Sequence, residues 1–131
     1  MKNVSFPVYG EAQILAEILA EILACGWENL HQREEYIDQT IYVIRVISSY
    51  VTFYKAEIPK AYWKELRRGL PRKESIEILR WPGRNNAQSG LDLAVPEERH
   101  AILEAINKIR QFLLQSTSST TTTSTTMVPT E

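Results

Sequence analysis

The sequence predicts an α+β domain in which a small, mostly antiparallel sheet of about three strands packs against two main helices. Three features favour this fold: an apolar helical repeat near the N-terminus, two adjacent β-branched runs, and an amphipathic helix near the C-terminus. With 131 residues, of which 44% are hydrophobic and 24% charged, the chain has the size and composition of one globular domain. We assign residues 1–10 to an N-terminal segment, 11–114 to the domain and 115–131 to a disordered Ser/Thr-rich tail.

Residues 12–24 form the clearest predicted helix, because isoleucine, leucine and alanine recur every four residues, close to the helical period. The rows of isoleucine and leucine make a wide apolar face, and Gln13 and Glu17 lie on the narrow polar face opposite. Gly26 is a helix stop signal, although the pattern also allows the helix to continue through residues 27–31. An apolar face of this width is expected to pack on a sheet.

The sheet is predicted directly after this helix. Residues 40–47 are almost continuously β-branched and aromatic, which is typical of a strand that is covered on both faces and lies at the centre of a sheet. Ser48 and Ser49 form a short turn into the returning strand, residues 50–58. Because only 50–58 and 75–81 can flank the first strand, we expect either a minimal sheet or one that a partner completes.

Two further elements are predicted after the hairpin. Pro59 ends the second strand and opens a short helix over residues 60–68, which Gly69 ends. Residues 75–81 alternate apolar isoleucine with polar side chains over much of their length and are predicted as the third strand.

The last predicted helix begins near Pro96, after a polar loop over residues 84–90. Its buried stripe is expected to consist of Ile102, Ala105, Ile106, Ile109 and Leu113. Residues 116–126 are eleven consecutive serines and threonines. Since this composition cannot repay the entropy of ordering, the tail is expected to be disordered.

Charge is distributed unevenly, although the net charge is only −1. Residues 11–38 contain seven acidic residues and one arginine, and residues 55–84 contain nine basic and four acidic residues. The two regions therefore carry charges of −6 and +5. Each region either solvates its own surface or attracts the other, and the summed charge gives no general attraction for nucleic acid.

The chain has no recognisable catalytic or metal-binding motif. Its single cysteine, Cys25, follows an apolar run, so we expect a small buried side chain and a reducing compartment. His31 and His100 are far apart and belong to no zinc-ligand cluster, and the five glycines form no phosphate-binding loop. No catalytic residue, metal, cofactor or small-molecule ligand is therefore expected. Neither a secretory signal nor a membrane span is visible, which predicts an intracellular protein of the cytoplasm or nucleus.

Residues 11–114 resemble the C-terminal half of a restriction-endonuclease-like domain. The resemblance lies in the helix that begins Glu-Ala-Gln-Ile-Leu-Ala-Glu, in the strands over residues 38–47 and 50–54, and in the closing helix. Such domains belong to the PD-(D/E)xK nuclease superfamily, in versions attached to Crinkler-type proteins of fungi. The resemblance implies that Gln13 and Glu17 face a metal site.

The catalytic motif of that superfamily is absent from this chain. Its nucleases use an acidic residue followed by Asp/Glu-x-Lys at a strand end, which together hold a divalent metal and position the attacking water. No Asp/Glu-x-Lys occurs in the sequence, and the closest approach, Glu65-Leu66-Arg67, lies in the predicted short helix. The resemblance therefore implies a scaffold without its active site and gives no ground for predicting nuclease activity.

Two hypotheses follow for the function. The first is a non-catalytic protein-interaction module, the remnant of a larger nuclease-like domain. It binds a protein partner or a second copy through an exposed sheet edge or through Ile18, Leu19 and Leu23. The alternative is a nucleic-acid-binding module that uses the basic, aromatic segment 55–84 to neutralise phosphates and to stack on bases. Its predicted contacts are Lys60, Trp63, Lys64, Arg67, Arg68, Arg72, Arg80 and Trp81.

Overall fold

A computed structural model describes residues 9–83 and 90–118, with side chains from residue 14 onward. Among these residues it confirms the predicted α+β class, with three helices and an antiparallel sheet of four strands. The helices are α1 (Tyr9–Arg33), α2 (Lys60–Arg67) and α3 (Pro96–Ser118). The strands are β1 (Gln39–Ile47), β2 (Tyr50–Ile58), β3 (Glu77–Trp81) and β4 (Leu91–Asp92). The predicted disorder of the tail beyond residue 118 lies outside the described residues.

Helix α1 is longer than predicted because Gly26 does not end it. The helix continues to Arg33, and the chain leaves it through Glu34, which has a positive φ of 56°. Gly26 is buried within the helix beneath the indole of Trp63, and an added Cβ would lie 2.5 Å from that ring. Glycine is therefore required here for close packing and not as a stop signal.

The central strand of the sheet is β2. Strand β1 pairs with it along all nine residues, from Gln39↔Ile58 to Ile47↔Tyr50, and β3 and β4 share the opposite edge of β2. The prediction that places the first strand at the centre is therefore wrong. The hairpin fixes β1 beside β2, and β3 returns to the other side of β2. Among the described residues, no strand pairs with the outer edge of β1.

Helices cover the sheet on both faces, because alternate side chains of each strand point in opposite directions. On one face, Ile41 of β1 and Ala56 of β2 pack with α1 and with Trp63 of α2 in the main core. On the other face, Val51 of β2 packs with Ile102 of α3 in a smaller core. We name these the α1 face and the α3 face. The two main helices predicted from the sequence thus lie on opposite sides of the sheet.

Short elements connect the hairpin to α3. The side-chain Oδ1 of Asp38 accepts the backbone N–H of Lys60 at 2.8 Å, which caps the start of α2, and Gly69, with a φ of 141°, follows the end of that helix. Strand β3 begins at Glu77, slightly later than predicted. Strand β4, which the sequence does not predict, has two residues and pairs with the start of β2. A strand this short carries no periodic pattern.

Helix α3 extends to Ser118, beyond the predicted domain end at residue 114. The hydroxyl groups of Ser116, Thr117 and Ser118 donate to backbone carbonyls three or four residues earlier, at 2.9–3.0 Å. These side chains therefore bond within the last turn of the helix, where the sequence predicts the start of the disordered tail.

The buried stripe of α3 is narrower than predicted. Ile102 is buried, and Ala105 and Ile109 pack partly against the same small core. Ile106 and Leu113, which were also expected in this stripe, are 39% and 46% exposed. Part of the apolar surface of α3 is therefore left uncovered by the described elements.

Candidate protein-interaction surface

The outer side of β1 presents backbone groups that have no partner within the described fold. The two-residue turn is flanked by the Ile47↔Tyr50 pair, whose backbone groups form hydrogen bonds with each other. Every second residue of β1 before Ile47 therefore also forms its backbone hydrogen bonds with β2. The intervening residues direct their N–H and C=O groups away from the sheet. No described residue pairs with these groups on their outer side. We call this row of residues the β1 edge. It consists of Thr40, Tyr42, Ile44 and Val46.

Exposed apolar side chains line the β1 edge. Ile44 and Val46 point to the α3 face and are 42% and 57% exposed. The end of α3 lies beside them, because the ring of Phe112 meets Tyr42 edge-on with centroids 5.7 Å apart. Leu113, the next residue of the helix, is also exposed. The apolar surface therefore continues from the strand onto the helix.

Strand β1 has little of what usually protects an edge strand, namely proline, charge and bulges. Its pairing with β2 is unbroken over nine residues, it contains no proline, and Arg45 is its one charged residue. The opposite edge of the sheet differs, since β3 has five residues, includes Glu77 and Arg80, and is followed by Pro82. Strand β1 is therefore the edge suited to pairing with another strand.

The predicted partner-binding residues of α1 serve the fold instead. Ile18 is 2% exposed and belongs to the main core, and Leu23 packs partly against the same core. Leu19 is also only partly exposed. The prediction that Ile18 anchors a partner is wrong, because the apolar face of α1 packs on the sheet.

Six of the predicted nucleic-acid region's cations are exposed together on α2 and the loop after it. We call this group, which consists of Lys60, Lys64, Arg67, Arg68, Arg72 and Lys73, the basic surface. Among the described residues, none forms an ion pair with it. Arg67 donates from Nη1 to the Tyr36 hydroxyl at 3.5 Å, the limit of a hydrogen bond.

The two tryptophans of the same region do not accompany these cations. Trp63 is 1% exposed and fills the main core, with its ring centroid 6.3 Å from that of Trp27, so the prediction that it stacks on bases is wrong. Trp81 is 44% exposed, but it lies on β3 against Phe53. Arg80 also lies on β3, where it is partly buried. The structure thus separates both tryptophans from the cations of the basic surface.

Glu65 organises the loop that carries part of the basic surface. Its carboxylate accepts the backbone N–H groups of Arg72, Lys73 and Glu74 at 2.5, 2.8 and 3.0 Å. These hydrogen bonds, from Arg72 first and then Lys73, hold the pKa of Glu65 below its ordinary value of 4.5. Burial, and then the nearby Glu65 charge, raises the pKa of Tyr62. The amides that could cradle an external anion here are therefore occupied by the protein's own carboxylate.

A groove of about 620 Å³ opens between α3 and the α3 face of the sheet. Its walls are mainly apolar and include Tyr42, Phe53, Leu79, Trp81, Ala105 and Ile109. Two of the three cations that line it have carboxylate partners, because Lys55 pairs with Glu57 at 3.3 Å and Lys108 pairs with Glu104 at 3.0 Å; the third is Arg80. The groove therefore suits apolar groups better than an anion.

In the part of the chain that the structure describes, the residues implied by the nuclease resemblance belong to no metal-ligand cluster. Glu17 is exposed on α1, and the side chain of Gln13 lies outside the described residues. Within the described part of the chain, no group of three or more His, Cys, Asp or Glu residues could hold a metal ion. Cys25 is exposed, which corrects the prediction of a buried thiol. None of the described helices combines the length and hydropathy needed to cross a membrane.

Sequence reasoning missed the contribution of α3 to the interaction surface. A partial signal was present, because Leu103 lies well off the stripe that contains Ile102 and Ile109. A helix with apolar residues on two sides packs one against its own sheet and leaves the other for a further contact.

No protein-family model, curated protein or solved structure matches the chain.

Proposed function

We propose that the protein is a non-catalytic protein-interaction module that binds an extended strand of a partner at the β1 edge. The observation that carries this proposal is a nine-residue edge strand with no proline or bulge and with one charged residue, beside an exposed apolar surface. In this mode of binding, backbone hydrogen bonds supply affinity and alternate side-chain contacts supply specificity.

Both contributions are available on the α3 face. The outward N–H and C=O groups of the β1 edge form a ladder for an incoming strand, and their side chains point to the α3 face. Residues of the partner would therefore pack against Ile44, Val46 and the exposed part of Phe112. Each aromatic or β-branched cross-strand pair contributes roughly 0.2–1 kcal/mol. A partner strand with apolar residues at every second position fits this surface.

A selection of short displayed peptides against the purified protein tests the proposal. We expect the enriched peptides to alternate β-branched or aromatic residues with polar residues, since one face of the bound strand meets apolar side chains. A bound peptide should slow amide hydrogen exchange at Tyr42, Ile44 and Val46. The amides between these residues already bond to β2 and should change less.

Matched variants locate the binding. Ile44→Lys and Val46→Lys change exposed side chains, so the protein should fold normally and bind the peptides about ten-fold more weakly or worse. Leu70→Lys is the control, because Leu70 is 87% exposed in the loop after α2. Peptides that leave the β1 edge amides unprotected, or that bind the two lysine variants as tightly as the original protein, would contradict the proposal.

A second candidate function is nucleic-acid binding through the basic surface. It is supported by the six exposed cations, which form no ion pair with any described residue. Because Trp63 is buried, this binding would depend on phosphate contacts and would show little preference for base sequence.

Fluorescence anisotropy with a labelled oligonucleotide tests the second candidate. We expect affinity to fall steeply between about 50 and 200 mM salt, because counterions are released from the phosphates on binding. The double variant Arg67→Ala/Arg68→Ala should lose affinity, whereas Arg110→Ala, an exposed cation of α3, should not. Affinity that does not change with salt would count against this function.

We also infer that the protein acts in a reducing compartment inside the cell. The support is its single cysteine, which is exposed and has no second cysteine to pair with. The origin of the fold in a nuclease-like scaffold stays a prediction of the sequence.

A further inference from the structure

We propose that the strand bound at the β1 edge is β1 of a second copy of this chain, so that two protomers form one continuous sheet. This inference rests on the proposed function and adds the identity of the partner. A two-fold axis perpendicular to the sheet at Val43 would pair the two strands antiparallel, and the same surface would serve both protomers.

The register about Val43 uses the whole strand. Residue 43 is the midpoint of β1 (Gln39–Ile47), so every residue of the strand has a partner across the axis. Thr40 lies opposite Val46 of the second copy, and Tyr42 lies opposite Ile44. These are the residues whose N–H and C=O groups point outward, and they would form about eight backbone hydrogen bonds.

The side chains brought together by this register are complementary. On the α3 face, an aromatic ring meets a β-branched side chain at each Tyr42–Ile44 pair, a favourable cross-strand combination. On the α1 face, Arg45 lies opposite Ile41 of the second copy. Arg45 therefore does not lie opposite Arg45 of the second copy, where the two like charges would repel each other. A register shifted by two residues to an axis at Arg45 would create that repulsion.

Helix α3 extends the same contact. Phe112 packs against Tyr42, so the last turns of α3 lie over the strand at the axis. An axis perpendicular to the sheet keeps both α3 helices on one face, on either side of the new strand pair. The exposed parts of Phe112 and Ile44 would then be covered by the second copy, together with Val46.

Cysteine cross-linking tests this register in a Cys25→Ser background, which removes the one native thiol. Val43→Cys places two thiols opposite each other in a pair without hydrogen bonds, where the Cα atoms lie about 4.5 Å apart and can be bridged. We expect mild oxidation to give a covalent dimer. Val46→Cys is the control, because residues 46 of the two copies would lie about 20 Å apart along the strands and should not cross-link.

Sedimentation equilibrium gives a second readout that does not depend on the cysteine variants. The native chain should show a monomer–dimer equilibrium, which Val46→Lys weakens about ten-fold or more and which Leu70→Lys leaves unchanged. A chain that stays monomeric but still binds strand peptides at the β1 edge overturns the second copy as partner and leaves the proposed function standing. A chain that neither dimerises nor binds peptides there overturns both. Cross-linking of Val46→Cys as efficient as that of Val43→Cys also contradicts the proposed dimer.

Discussion

At the scale of the residue, Gly26 has a role that its sequence context conceals. Glycine after an apolar helical run is typical of a helix end, yet here the chain continues as helix for a further two turns. The indole of Trp63 packs where the Cβ of any other residue would lie, so glycine is needed at this position. The requirement arises from a residue on another helix. A local pattern therefore cannot reveal it.

We predict that Gly26→Ala lowers the free energy of unfolding by about 1–3 kcal/mol, because the new methyl group would overlap the Trp63 ring. In an exposed helix position the same change stabilises by about 1 kcal/mol. Urea unfolding distinguishes these outcomes by sign. Gly83→Ala is the control, since nothing lies within 4 Å of the added methyl group, and it should change stability little.

Glu65 gives a prediction that depends on pH. Its pKa in the folded state is lowered by the three backbone hydrogen bonds, so its stabilisation is fully present above its ordinary value of 4.5 and is lost as the pH falls through the lower folded value. Glu65→Ala should therefore unfold more easily than the original protein at neutral pH. The difference between the two should shrink as the pH is lowered below about 4.5.

Thermal unfolding across this pH range measures the effect, and Glu74→Ala is the control because its backbone N–H, which bonds to Glu65, is kept. Amide exchange at Arg72 and Lys73 should also become faster in Glu65→Ala. A stability difference that stays constant with pH would show that the carboxylate does not act through these hydrogen bonds.

At the scale of the element, the sequence predicts where the strands lie better than how they are ordered. The β-branched run gave β1 to within one residue at its start, and Ser48 and Ser49 were correctly placed in the turn. The apolar or polar character of the side chains indicates which faces of a strand are covered. Pairing at the edges of a strand, however, is made by backbone N–H and C=O groups, which do not depend on the side chains. An apolar run therefore reads the same whether the strand has one neighbour or two, and the edge position of β1 could not be predicted.

The hairpin turn gives a prediction at this scale. Ser48 has a φ of 55°, a left-handed conformation that costs a non-glycine residue about 1–2 kcal/mol. Ser48→Gly should therefore raise the free energy of unfolding by about 0.5–1 kcal/mol, after the entropy cost of glycine is included. The control is Ser49→Gly, whose φ is not positive and which should be neutral or destabilising. Equal effects of the two changes in urea unfolding would contradict this view of the turn.

At the scale of the whole molecule, the charge asymmetry is easy to predict and its consequences are not. The basic residues of α2 and the following loop do gather on one surface, as the sequence indicates. The ring of Trp63, however, is buried, because it fills part of the main core. Two of the predicted apolar anchors of α1 also belong to the fold, because Ile18 lies in the main core and Leu23 packs partly against it. The apolar side chains that stay exposed are those outside the core, on β1 and at the end of α3. Which side chains these are depends on how the helices pack on the sheet, and no single segment of the sequence specifies that packing.

The small charge of the β1 edge predicts that self-association changes little with salt. Arg45 is the one charged residue of β1, whereas contact between the acidic α1 and the basic surface of another molecule would depend strongly on screening. We expect the dissociation constant of the dimer to change less than about three-fold between about 50 and 500 mM salt. Sedimentation equilibrium measures it, and a steep loss of dimer at high salt would favour the charged contact instead.

The most direct test of the β1 edge is residue-resolved amide hydrogen exchange, measured by NMR at low and at high protein concentration. At low concentration the amides of Ile41, Val43 and Arg45 should be protected by β2, and those of Tyr42 and Ile44 should exchange freely. At high concentration, we expect the amides of Tyr42 and Ile44 to become protected as well. Amides of Tyr42 and Ile44 that exchange freely in the associated protein would contradict this prediction.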